Sequence, residues 1–218
     1  MATKSEIGRR IAEILNINVF SFEYAIVLDL YERGSARSGE LKSRSMAGAT
    51  VFYHTINNLA NSEIIISESD AVDRRKRVYR LSNWARKILD EEFSFLLDWY
   101  RPDPLNVHKS GDSLTTFIRN TKERLKIRFF SCEYQIVLLV DEFEPCTTGD
   151  LLRMCDVSNT TFFSALRKLA GRGLIQAEAD DGDHRVKKYR LPLWVRQAQD
   201  QLRHELKQWA EQTLTMPT

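Results

Sequence analysis

The sequence predicts a mainly α-helical protein with small β-hairpins, built as two tandem copies of one domain. Three observations carry that expectation. Ser21, Glu23, Tyr24, Ile26, Val27 and Leu28 recur as Ser131, Glu133, Tyr134, Ile136, Val137 and Leu138, an offset of 110 positions. The same ungapped offset carries Gly39-x-Leu41 onto Gly149-x-Leu151, Thr50-x-Phe52 onto Thr160-x-Phe162, and Tyr79-Arg80-Leu81-x-x-Trp84 onto Tyr189-Arg190-Leu191-x-x-Trp194. Within each copy, apolar residues at helical spacing give way to two short strand-like runs around a polar tip. The period is far longer than the roughly 20–50 residues of a solenoid unit and matches a domain of about 100. The expected boundaries are residues 1–101 for the first copy, 102–112 for a linker and 113–218 for the second.

Each element has a local reason. Ile7, Ile11, Ile14 and Leu15 predict an opening helix to about Asn18. Ser21 caps a second helix that runs to about Tyr31 and is stopped by Gly34, with Tyr24, Val27 and Leu28 inward. Ser38 and Thr148 are the expected caps of a short third helix holding Leu41 or Leu151. After a turn, a fourth helix carries Phe52, Thr55, Ile56 and Leu59, or Phe162, Ala165, Leu166 and Leu169, a stripe that makes one buried face. Ser158 is a good cap for that helix, and its counterpart Gly48 a weaker one. Strands are expected to begin at Ile64-Ile65-Ile66 and Leu174-Ile175 and to return as Val78–Leu81 and Lys188–Leu191. A long closing helix follows in each copy, holding Trp84, Ile88, Leu89, Phe93, Leu96 and Trp99, or Trp194, Leu202, Leu206 and Trp209. Arg101-Pro102-Asp103-Pro104 breaks the first of these, and Leu114, Phe117, Ile118, Leu125 and Ile127 open the second copy as a helix.

Composition excludes several classes. The chain has 218 residues, 43% of them apolar and 28% charged, ordinary values for a soluble protein. No apolar run approaches the ~18 residues of a membrane span. Met1-Ala2-Thr3-Lys4-Ser5-Glu6 leads into charged sequence without an apolar signal core, so a cytoplasmic location is expected. Cys132, Cys146 and Cys155 form an odd set without a C-x-x-C pair, in keeping with a reducing compartment. The net charge of +2 does not by itself point to nucleic acid. Any such case rests on where the charge sits.

Helix, short helix, turn, helix and a hairpin with a charged tip is the order of a winged helix-turn-helix, here two in tandem joined through a helical, dimer-like region. The residues resemble the multiple-antibiotic-resistance regulator (MarR) family. Leu169-Ala170-x-x-Gly173-Leu174-Ile175 is similar to that family's junction between recognition helix and wing, and Asp183-x-Arg185 followed by Tyr189-x-Leu191 to its wing. The first copy repeats the wing as Asp73-x-Arg75 with Tyr79-x-Leu81. The resemblance implies a DNA-binding transcriptional regulator. That family is usually one domain per chain paired as a homodimer, and the tandem order departs from it, implying a monomeric pseudo-dimer or a further homodimer.

DNA binding asks for side chains that reach base edges from the recognition helix, and for cations at the wing tip. With the apolar stripe inward, the first copy offers Thr50, Val51, Tyr53, His54 and Asn57, and the second Asn159, Thr160, Thr161, Phe163, Ser164 and Arg167. Asn57 suits adenine and Arg167 guanine. The wings offer Arg74, Arg75, Lys76 and Arg77, with Arg185, Lys187 and Lys188 as the counterpart. Because the two recognition surfaces differ, two unlike half-sites on double-stranded DNA are expected rather than a palindrome.

The remaining aromatic, cysteine and histidine residues have simpler roles. Trp84, Trp99, Trp194 and Trp209 fall in equivalent pairs; packing in the core or between repeats is preferred over the pocket for a small aromatic effector that the resemblance implies. Cys132 replaces Phe22 on an apolar stripe, so packing is preferred over redox sensing, and Cys146 is expected in an exposed loop. The four histidines form no metal-spacing cluster, and neither a phosphate loop nor a nucleophile elbow is present, so no metal, cofactor or enzyme activity is expected. The alternative to DNA binding is a winged-helix scaffold for protein–protein interaction, since fold does not fix function.

Overall fold

In a computed structural model the described residues are 4–16, 18–45, 47–100, 122–155, 157–179, 182 and 186–215. The first half contains α1 (Lys4–Leu15), α2 (Phe22–Arg33), β1 (Ser35–Arg37), α3 (Ser38–Ser45), α4 (Ala49–Asn61), β2 (Ile65–Ser69), β3 (Arg77–Leu81) and α5 (Asn83–Tyr100). The second contains α6 (Cys132–Phe143), β4 (Cys146–Thr147), α7 (Thr148–Cys155), α8 (Asn159–Gly171), β5 (Gln176–Ala179), β6 (Lys187–Arg190) and α9 (Leu193–Thr215). The fold is mainly helical with small antiparallel sheets, as the sequence predicts.

The caps explain where the helices begin. The Ser21 side chain accepts from the Tyr24 amide at 3.1 Å, and Ser131 does the same for Tyr134 at 3.1 Å. Each of these serines also donates its hydroxyl, Ser21 to the Arg128 carbonyl and Ser131 to the Asn18 carbonyl. Ser158 caps α8 by accepting from Thr161, whereas Gly48 leaves α4 without a side-chain cap. The short helices are capped one residue earlier than expected. Thr147, rather than Thr148, closes a capping box with Asp150: Thr147 Oγ1 donates to Asp150 Oδ2 at 2.6 Å and accepts from the Asp150 amide at 3.2 Å. In the first half Glu40 accepts from the Arg37 amide at 3.0 Å, so the junction falls before Ser38 as well.

Each sheet has three strands, in the orders β1-β3-β2 and β4-β6-β5. The outer strands β1 and β4 were not foreseen, because runs of three and two residues are too short to carry a period. The hairpin strands start slightly later than expected: Ile64, Leu174 and Ile175 are buried but precede β2 and β5. Glu63 and Gly173 are equivalent and both left-handed, at φ 57° and 67°, which turns the chain from α4 to β2 and from α8 to β5. Asn16 and Lys126, also equivalent, end the opening segments at φ 51° and 57°.

The chain divides into two compact units, each with its own core. One comprises Ser21–Phe129 with Met1–Ser5 and Ala210–Thr218; the other comprises Glu6–Phe20 and Phe130–Trp209. In the first, Tyr24, Val27 and Leu28 of α2 and Phe52, Ile56 and Leu59 of α4 are buried, and the two helices are in contact. The buried Phe129 ring lies 4.0 Å from Tyr24, and the Ser21 amide donates to the Phe129 carbonyl at 3.0 Å. In the second, Tyr134, Val137, Phe162, Leu169 and Val195 form the core, with Leu15 and Val19 buried beside them. There the Ser131 amide donates to Val19 at 2.9 Å, Phe20 bridges Phe130, and Arg172 donates to the Asn16 carbonyl. A Cβ at Gly8 would collide with the Phe20 ring, so only glycine allows that closeness. Glu6–Phe20 thus falls in the unit of the second winged region, and the described residues 122–129 in the unit of the first. An apolar leader helix carries no record of which of two similar faces will bury it. The linker 102–112 and Leu114, Phe117 and Ile118 lie outside the described residues.

Candidate nucleic-acid interface

Helices α4 and α8 follow the burial pattern their stripes predict. Phe52, Thr55, Ile56 and Leu59 are buried in α4, and Phe162, Ala165, Leu166 and Leu169 in α8. Thr50, Val51, Tyr53, His54 and Asn57 are exposed on the first, and Asn159, Thr160, Thr161, Phe163, Ser164 and Arg167 on the second. Some of these side chains are already engaged. His54 Nε2 lies 3.2 Å from Asn58 Nδ2, and Lys42 Nζ sits 5.8 Å from the centre of the Tyr53 ring. Ser158 and Thr161 hydroxyls are 2.9 Å apart, so Thr161 is partly committed to the cap. Arg167 makes no ion pair among the described residues, whereas Lys168 reaches Glu133 at 3.4 Å.

The first wing has an internal frame that the sequence did not disclose. Asp70, 5% exposed, accepts from Arg37 Nε at 2.6 Å and from the amides of Val72 and Asp73 at 2.8 and 3.1 Å. The Arg37 guanidinium first, and the two amides next, hold the Asp70 carboxyl down to about 2. Beyond it, Asp73 accepts from the Arg75 amide and side chain at 3.2 and 3.3 Å and pairs with Lys76 at 3.5 Å. These contacts, led by the Arg75 amide, lower the Asp73 carboxyl below its ordinary value. Asp73 thus orients Arg75 from behind and leaves it 93% exposed. Arg74 and Arg77 are exposed and make no ion pair among the described residues. The brace itself was missed because Arg37 and Asp70 stand 33 positions apart and neither lies in the basic run.

In the second wing Lys187 is exposed in β6, whereas Asp183, His184 and Arg185 lie outside the described residues. Both hairpins carry the same cross-strand ion pair, Arg80 with Glu68 at 2.7 Å and Arg190 with Glu178 at 3.4 Å. These pairs align strands and stand apart from the tip cations.

Two expectations are corrected. Trp84 and Trp194 are surface residues, 38% and 45% exposed, not core. They lie in the first turn of α5 and α9, beside the sheet, where Trp84 Nε1 donates to the Glu63 carbonyl at 3.0 Å. The side chains of Trp99 and Trp209 lie outside the description. Cys146 is buried, not exposed, because it sits in β4 opposite Tyr189. Burial, then Asp150 and Glu144, push its thiol up to about 11. Burial, then Cys132 and Cys146, push Cys155 up to about 12, so both thiols stay protonated near neutrality. Among the described residues no group of His, Cys, Asp or Glu is arranged to hold a metal, and no helix is long and apolar enough to cross a membrane.

The family comparison bears on the second half. The MarR family model matches residues 131–186. Among solved structures, that of transcriptional regulator PA4135 is 13% identical, covers 53% of this chain and 85% of its own, and has a TM-score of 0.34. The structure of MarR is 18% identical, covers 55% of this chain and 84% of its own, with a TM-score of 0.32. The DIP2311 protein from Corynebacterium diphtheriae is 20% identical over 78% of this chain and 26% of its own, with a TM-score of 0.22. No curated protein matches the chain. The matched stretch runs from the Ser131 cap through α8 and β5 into the second wing, and through it the chain resembles the MarR family.

Proposed function

We propose that the protein is a MarR-like transcriptional regulator that binds duplex DNA as a single-chain pseudo-dimer, reading two unlike half-sites. One observation carries this reading: the basic run Arg74, Arg75, Lys76 and Arg77 projects from a hairpin whose base is held by Asp70 and whose turn is held by Asp73. Solvated cations on a slack loop need no such frame. A braced tip loses little freedom when it enters a narrow minor groove, where negative potential is concentrated.

In this reading α4 and α8 each enter a major groove. Asn57 pairs with adenine and Arg167 with guanine, each discriminating by about 1–3 kcal/mol if bidentate. Thr50, His54, Asn159, Thr160, Thr161 and Ser164 supply the remaining polar contacts, and Arg185 and Lys187 act as the second wing. The same reading admits a small aromatic effector, and either a monomeric pseudo-dimer or a further homodimer.

Selection of genomic fragments with the purified chain, followed by footprinting, tests it. The expected footprint is asymmetric; a perfect inverted repeat would contradict the unlike half-sites. Arg75→Ala is expected to flatten the slope of log K against log salt by about 0.9, and an unchanged slope would remove Arg75 from the phosphate contacts.

A second reading, a scaffold for a protein partner, is favoured by the exposure of Val51 and Tyr53, 55% and 48%, on α4. Failure of every duplex to bind, with capture of a partner lost in Val51→Asp, would favour it.

A further inference from the structure

Tyr53 and Phe163 hold the same register in the two recognition helices, the fifth position of α4 and of α8. Both rings are open to solvent, at 48% and 44%. Both are also anchored in the same way. Tyr53 meets the buried Phe52 edge to face at 5.2 Å and 74°, and Phe163 meets the buried Phe162 at 5.2 Å and 77°. An aromatic fixed along one edge and open on the other gives up little freedom when it docks, so its exposure is suited to contact. It lies in the second turn of the helix, within the stretch a recognition helix turns toward base edges.

The major groove offers one apolar feature to such a ring, the C5 methyl of thymine. We infer that Phe163 reads a thymine methyl in one half-site and Tyr53 reads one in the other; this rests on the duplex-binding reading above. The surroundings rank the two contacts. Lys42 lies 5.8 Å from the Tyr53 ring and holds a charge beside it, whereas the residue equivalent to Lys42 in the second half is Leu152. A hydrated cation beside the ring keeps water near the methyl, so the Phe163 contact is the drier and the more methyl-dependent of the two.

The test uses the full chain and the tightest duplex recovered by selection. Each thymine is replaced in turn by deoxyuridine, which removes the methyl and leaves every hydrogen-bonding group in place. One position in the Phe163 half-site is expected to weaken binding about fourfold, the worth of one buried methyl, with a smaller loss in the other half-site. Phe163→Ala is expected to bind the thymine and uracil duplexes equally, while Phe163→Leu, which keeps an apolar tip on the same core contact, retains part of the preference. Circular dichroism checks the folding of both variants, and the leucine variant carries the test if the alanine variant does not fold.

The inference is overturned if no uracil substitution changes affinity, or if the full methyl preference survives in Phe163→Ala. Either result leaves duplex binding itself standing. Absence of binding to any duplex overturns both.

Discussion

Arg37 and Thr147 stand at the same register, each just before a short helix, and their side chains do different things. In both halves a carboxylate from the following turn, Glu40 or Asp150, accepts from the backbone amide at that position. In the second half the Thr147 hydroxyl also turns back onto Asp150 and completes the cap. In the first half Arg37 reaches away, to Asp70 at the base of the wing. The lesson is that the backbone joint is kept while the side chain is free to serve a distant need. One half uses that freedom to stiffen a basic hairpin; the other uses it to stiffen the helix that leads into α8.

The largest expected effect is at the core positions that the two halves share in register. Phe52 and Phe162 are both 0% exposed. Phe52→Ala and Phe162→Ala are each expected to cost about 3–5 kcal/mol in urea unfolding. A cost below about 1 kcal/mol at either position would mean that its half is not packed as described.

The wing joint comes next. Asp70→Asn removes a carboxylate whose ordinary value of 3.8 is lowered to about 2 in the fold. A lowered carboxylate stabilises the fold above its unfolded value and loses that contribution as pH falls toward the folded one. The melting temperature of Asp70→Asn should therefore trail the parent near neutrality and converge with it between about pH 4 and 2. A gap that persists unchanged to acid pH would show that the carboxylate charge is not what braces the wing. Thr147→Ala should cost about 1 kcal/mol through its cap and leave wing-dependent binding untouched.

The smallest expected effect is at the left-handed joint between recognition helix and strand. Gly173→Ala should cost about 1 kcal/mol from backbone conformation alone, since no atom lies within 4 Å of the added Cβ. Glu63→Gly should gain less than about 1 kcal/mol, because a freer unfolded chain offsets part of the relief. A loss on Glu63→Gly would assign that position a side-chain role that its backbone does not reveal.

Much of the fold was legible because its signals are local. Ser21, Ser131 and Ser158 act within three positions of themselves, and the Phe52 and Phe162 stripes need only helical spacing. The outward faces of α4 and α8 followed directly. The errors share a cause. Cys146 and Trp84 were misjudged because their burial depends on a strand and a carbonyl far away in sequence. Nothing near Asp70 in the chain shows which arginine its carboxylate meets, because Arg37 stands 33 positions away.

The amino-acid order is enough to show that one pattern of helices and hairpin occurs twice, where α2, α6 and α8 start, and which faces of α4 and α8 meet water. Those choices are settled over a few residues by capping, helical spacing and backbone conformation. Only the tertiary structure decided that Leu15 and Val19 are buried with the second winged region, that Leu125 and Phe129 are buried with the first, and that Arg37 braces Asp70. Two similar apolar faces compete for each leader segment, and the outcome depends on packing over long chain separations, which no local pattern records.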